Sequence, residues 1–397
     1  MHRSSVAIAF VAVIGLSACS RESETSNTTA PAAADRTGSA AATEATPTKP
    51  AVAGAINTAA TDLTAAAPTT DSPLVLGAPK RVGAGLIEGW SPDGTALIVG
   101  RVDDTLSKEG CEGAKEPVFF LQPVNGGAST VAFPGHTEMN GSFVGTQPGT
   151  NDVVMLSGCE GYLGDLSVAR QSADGTLRDR RLVVIADTAQ AAELTGVSSL
   201  SIDGSALLLT GKAFADDVEH VISTRIDLAT GASLAIETGG RGGAHIAEAT
   251  GGRIVVSDGS TVYVLAKDGL PIRTYDGSDF AVSRDGSRLA VVSNGALGIA
   301  GIGEGITVTV ALPKAVESAL LLFSPDGRTV AVLSYDDAGS VAVVRGGTVH
   351  VVAEGESYGR MAWNPAGTAI AFNRFSRSAS SKLSRCSSTS RPLADLL

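Results

Sequence analysis

Phe323-Ser324-Pro325-Asp326-Gly327, followed at once by Arg-Thr-Val-Ala-Val-Leu, is the stretch on which the reading of this chain turns. Pro presets φ, Asp bonds its own backbone, and Gly accepts a positive φ, so the five residues make a tight turn. The run after it is apolar, β-branched and six residues long, which predicts a strand. Outward from this point the pattern recurs. Trp90-Ser91-Pro92-Asp93-Gly94, Leu200-Ser201-Ile202-Asp203-Gly204, Val282-Ser283-Arg284-Asp285-Gly286 and Trp363-Asn364-Pro365-Ala366-Gly367 each precede an apolar run. Two degenerate copies fill the gaps, around Gln147-Pro148-Gly149 and Thr250-Gly251-Gly252. The seven turn glycines are 34 to 55 residues apart, a period that means one supersecondary unit per repeat.

A third strand follows in many repeats, as at Val118-Phe119-Phe120-Leu121, Thr261-Val262-Tyr263-Val264 and Val341-Ala342-Val343-Val344. A fourth segment leads into the next repeat. Four antiparallel strands per unit predict an all-β chain: a single β-propeller of seven four-stranded blades, with six the alternative because blades 2 and 4 depart from the motif. Only Thr188 to Leu194 has a helical pattern. Leu74 to Val82 reads as an outer strand that completes the last blade, covering an edge that would otherwise lie open. Trp90, Phe323 and Trp363 precede their turns and are expected to pack between blades.

The repeated Trp/Phe-Ser-Pro-Asp-Gly turn resembles that of the TolB-like family, whose WD40-like (PD40) repeats build propellers. The resemblance covers about residues 74 to 372. It implies the fold, and it leaves function open among scaffolds, binding platforms and gating domains.

The ends read differently. Val6 to Leu16 is an uncharged, largely aliphatic run behind Met1-His2-Arg3, the length of a secretory h-region and too short to span a bilayer. Leu16-Ser17-Ala18-Cys19 resembles the lipobox of bacterial lipoproteins. The resemblance implies cleavage before Cys19, a diacylglyceryl lipid on its sulfur, and anchoring on the extracytoplasmic side of the bacterial membrane. Each buried methylene of such a lipid contributes about 0.8 kcal/mol. The alternative is an ordinary cleaved signal with an incidental cysteine. The expected organisation is therefore a signal peptide over 1–18, a disordered Ala/Thr/Ser/Pro-rich tether over 19–72, the propeller over 73–375, and a Ser/Arg-rich tail over 376–397, either disordered or the product of a shifted frame. A tether of that length reaches on the order of 40 Å.

The net charge of −11 argues against nucleic acid and against charge-driven binding to anionic lipid. The expected partners are the membrane, through the lipid, and an envelope protein or glycan; the expected state is a monomer. No nucleophile elbow, His-Glu-x-x-His, phosphate loop or Cys-x-x-Cys is present. The expectation is accordingly no catalytic residue and no cofactor beyond the lipid. The rival reading is a propeller hydrolase or lactonase with a metal in its central funnel.

Two features could carry recognition. Cys111 and Cys159 share the context Gly-Cys-Glu-Gly and fall between the second and third strands of successive blades. In an oxidising envelope they form a disulfide worth roughly 3–4 kcal/mol, or they stay as two thiols. Acidic pairs recur in the same kind of loop: Asp103-Asp104, Asp216-Asp217 and Asp336-Asp337. On one face they would offer a focused negative field to a cation or a basic partner; the plainer reading is solvated loop charge. Asp216, Asp217, Glu219 and His220 are the densest set of potential metal ligands, without the spacing of a calcium loop.

Overall fold

The computed structural model describes residues 76–375 except 78–79, 104, 108–116, 134–141, 148–149, 160–161, 173–175, 184–198, 216–217, 314–315, 317, 336–338 and 356. Cys19, the tether, the short helical pattern at Thr188–Leu194 and the tail beyond Phe375 lie outside the described residues.

The chain folds into an all-β propeller. Six sheets have four strands each, with strand order following sequence order, every neighbouring pair being antiparallel. A seventh sheet holds two strands among the described residues, Ser357–Trp363 and Ile370–Phe375. The six complete blades and this shorter sheet close one ring. The inner strands are Leu86–Trp90, Ser142–Thr146, Ser199–Leu200, His245–Ala249, Phe280–Val282, Ala319–Phe323 and Ser357–Trp363. Each lies beside the next, and the last lies beside the first. The expectation of seven four-stranded blades is thus met by six. The edge strand beginning at Ile370 has Leu76 packed against its cluster with Tyr358, Met361 and Phe372, the one described residue of Leu74–Leu76.

Burial follows strand position. Second and third strands are covered by blades on both sides, so they read as unbroken apolar runs: Thr329–Ser334 is buried at every residue. Outer strands have one wet face: in Ile306–Ala311 only Val308 and Val310 are covered. The core is a series of clusters between blades. In one, Leu297 and Val310 of blade 5 meet Leu321 and Val332 of blade 6.

The turns fold as their chemistry requires. In Phe323-Ser324-Pro325-Asp326-Gly327 the Gly327 amide donates to the Ser324 carbonyl at 2.8 Å, with Gly327 at φ 68°. The Ser324 hydroxyl donates to Asp326 Oδ1 at 2.5 Å and accepts from the Thr329 amide at 3.0 Å. The same bonds recur at Ser91/Asp93, Ser201/Asp203 and Ser283/Asp285. Blade 7 has no Asp in its turn. There the Asn364 side-chain oxygen accepts from the amides of both Thr368 and Ala369, so one residue does the work of two.

Candidate functional site

The inner strands deliver their turns to one end of the ring, where they surround a funnel of about 530 Å3. All seven blades line it, from Trp90 and Pro92 in blade 1 to Trp363 and Pro365 in blade 7. This volume falls in the range of small-molecule pockets.

The wall is held together at every blade junction. The Asp93 amide donates to Gln171 Oε1 between blades 1 and 2, and Gln147 Nε2 donates to the Gly204 carbonyl between blades 2 and 3. The Ile202 amide donates to Glu248 Oε2 and the Thr250 amide to the Gly286 carbonyl at the next two junctions. Arg288 donates to the Gly327 carbonyl, Trp363 Nε1 to the Leu322 carbonyl, and Trp90 Nε1 to the Ala362 carbonyl, which returns the circuit to blade 1. The tryptophans are thus packing and bonding groups between blades. Blades 7 and 1 are further joined by the Glu88–Arg360 ion pair and by fully buried Asn373, which accepts from the Ile87 amide and donates to the Gly85 carbonyl.

Most polar groups of the funnel are engaged in this structure. Glu248, the carboxylate of the lining, takes the Ile202 amide on one oxygen and Arg225 at 3.2 Å on the other. The Ser199 hydroxyl donates to the Ile246 carbonyl and Ser201 to Asp203. Around the rim, the turn carboxylates are held in the charged form. The Ser201 hydroxyl, then the Ser205 amide and hydroxyl, bring Asp203 down to about 2. Ser283 lowers Asp285 in the same way. At Asp93 and Asp326 burial pulls upward, but hydrogen bonds led by Ser91 and Ser324 outweigh it, and both carboxyls end below their usual range.

Of the recognition residues expected from the sequence, Asp103, Cys159, Glu219 and His220 are described, and they sit in second or third strands or beside a join between them, away from the turn face. Asp103 follows the second strand of blade 1, is half-buried, and accepts from the Thr105 hydroxyl and the Thr105 and Leu106 amides, which lower its pKa. Asp104, Asp216, Asp217, Asp336 and Asp337 lie outside the described residues, although the strands around them are second and third strands of blades 1, 3 and 6. Cys111 also lies outside; Cys159 ends the second strand of blade 2. In the weak metal set, Glu219 and His220 sit on the third strand of blade 3, with His220 exposed. Among the described residues no three ligating side chains gather in metal-binding geometry. His245 opens the inner strand of blade 4, also away from the turn face. Its ring meets Phe280 edge-on at 5.7 Å; burial lowers its pKa and Asp279 pulls the other way.

The funnel was missed from sequence because its lining comes from seven places far apart in the chain. The signal that marks it is the second turn position, Pro92, Ile202, Arg284, Pro325 and Pro365, which lines it blade after blade.

Among solved structures, the chain is similar to the C-terminal WD40 domain of Sif2, with 13% identity, 75% of this chain and 95% of that chain covered, and a TM-score of 0.46. No protein-family model matches the chain, and no curated protein matches it. The propeller assignment stands on strand order and ring closure.

Proposed function

We propose that this chain is a non-catalytic, lipid-anchored propeller of the TolB-like kind, acting as a protein-binding or scaffold module in the bacterial cell envelope. The observation that carries the reading is the funnel itself: a preformed concavity whose wall is bonded at all seven junctions, so that a partner meets a rigid receptor. Its serine hydroxyls bond to carbonyl and carboxylate groups of the wall rather than to a histidine base. A metal-dependent hydrolase or lactonase would need free carboxylate or imidazole donors in the funnel, and Glu248 is held by Arg225 and the Ile202 amide. The anchor rests on the lipobox-like Leu16-Ser17-Ala18-Cys19.

Capture from detergent-solubilised envelopes tests the reading, with the full chain as bait. The control carries Pro92→Arg and Pro365→Arg, which crowd the mouth with a residue that blade 5 already accommodates at this turn position. Capture of a defined partner that the control loses supports the module. Undiminished capture by the control, or turnover of ester or lactone substrates, overturns it. Cys19→Ala is expected to move the chain out of the detergent phase; a variant that remains there with a mature-sized N-terminus would refute the anchor.

A further inference from the structure

The turn face contains one exception to its own repeat. Two residues before the turn glycine the seven copies read Pro92, Gln147, Ile202, Thr250, Arg284, Pro325 and Pro365. Only one of these is charged. Folding does not call for arginine here, since proline presets the φ that this corner of the turn needs. Arg284 is exposed, lines the funnel, and has no hydrogen bond or ion pair among the described residues. Thr146, on the wall of blade 2 across the ring, is the other lining side chain with a polar group free in this sense.

The nearby charges do not satisfy Arg284. Asp285 is bonded to the hydroxyls of Ser283 and Ser287, Asp326 to that of Ser324, and Glu248 to Arg225. The net charge of −11 gives no long-range attraction for an anion. Exposed charges are screened over roughly 10 Å at 0.1 M ionic strength, so recognition at the mouth is a local matter. An arginine fork matches a carboxylate with two parallel N–H···O bonds, which a lysine cannot reproduce. A peptide added as a strand would need free main-chain amides on the inner edge, and that of Ile202 is taken by Glu248. The free groups are two side chains, which suits a compact ligand.

We propose that the funnel is a binding site for a sugar acid, with Arg284 taking the carboxylate and Thr146 a hydroxyl on the far wall. The proposal goes beyond the protein-binding reading: it rests on the same bonded funnel but names a saccharide as its ligand.

Calorimetric titration of the full chain in detergent tests it with three probes: glucuronate, glucose, and an Ala-Glu-Ala peptide blocked at both ends. Glucuronate should bind at least about tenfold more tightly than glucose, the factor expected of a charge-assisted pair. Arg284→Pro, the residue of the neighbouring turns, should abolish that preference while leaving the melting temperature unchanged or raised. Arg284→Gln gives the same readout should the proline variant misfold, and Arg284→Lys should keep part of the preference. High salt should weaken glucuronate and leave glucose unaffected. Equal binding of the two sugars, no binding of either at about 1 mM, or wild-type preference in both Arg284→Pro and Arg284→Gln overturns the proposal. Binding of the peptide alone overturns it in favour of a protein ligand. Should the sugar preference fail while envelope capture persists and is lost in the Pro92→Arg, Pro365→Arg control, the binding module stands and the sugar-acid site falls.

Discussion

On the turn face, residues 91–95, 201–205, 283–287 and 324–328 join inner to second strands in loops of one length, bonded in one way. On the opposite face the joins between second and third strands run from residues 216–217 in blade 3 to residues 102–117 in blade 1. A loop in which serine, aspartate and glycine each satisfy a backbone need cannot change length without leaving a polar group unpaired. Among the described residues the opposite joins share at most an Asp-led turn, in which Asp103 and Asp258 each accept from the amide and hydroxyl two residues on and from the next amide, and their lengths vary. The comparison teaches where to look for specificity: on the turn face in a single departure from the repeat, on the opposite face in whole loops.

The sharpest way to break the comparison is at the turn glycines, which share φ near 70° but differ in surroundings. A Cβ on Gly286 would come within 2.3 Å of Ile202 Cδ1 and 2.6 Å of the Thr250 amide nitrogen. Gly286→Val therefore combines backbone strain with a clash that breaks the junction between blades 4 and 5. It should cost roughly 3–5 kcal/mol in chemical denaturation. At Gly327 the nearest atom to such a Cβ is Ser283 Cβ at 3.6 Å, so Gly327→Val should lose only the strain, roughly 1–3 kcal/mol. Equal losses at both would mean that the turns do not bond blade to blade.

These turns are also where the fold was most legible. Gly94, Gly204, Gly286, Gly327 and Gly367 all have positive φ, as Pro-Asp-Gly chemistry requires, and the apolar runs after them are second strands. Short-range rules suffice because the turn satisfies itself within five residues. The last blade was less legible, because its completion depends on what packs beside Ile370–Phe375 and not on any local pattern. The candidate site was the least legible. Arg284 is visible in the sequence as a break in the repeat, but its meaning depends on seven turns meeting at one mouth, a long-range fact. The acidic pairs drew attention because they recur in the same class of loop, and of them only Asp103 lies among the described residues.

Acid should separate the two faces next. Asp203 is held at about 2, against roughly 3.9 in an unfolded chain. A carboxyl whose folded pKa is depressed contributes stability that is complete above the unfolded value and is lost as pH falls toward the folded one. The melting temperature should therefore drop between about pH 4 and pH 2. Asp203→Asn should flatten that limb by a small amount, since its carboxylate is largely exposed and solvent screens its interactions. An acid limb of unchanged slope in this variant would assign the sensitivity to other carboxyls.

The smallest effect on stability is expected on the opposite face. Converting Asp103, Asp104, Asp216, Asp217, Asp336 and Asp337 together to Asn removes six charges from joins that the repeat does not constrain. Surface changes of this kind fall within about 0.5 kcal/mol each. At Asp103 an asparagine oxygen can still accept from the Thr105 and Leu106 amides, so the local turn should persist. Melting should shift less than in Gly327→Val, although three times as many loops are changed. If the acidic pairs form a recognition field, capture of a basic partner should weaken in this variant, most at low salt, where screening is least. Capture that persists, or that shows no salt dependence, would reduce the pairs to solvated loop charge. A large loss of stability would overturn the comparison from the other side, because it would mean that the opposite joins are as firmly bonded as the turns.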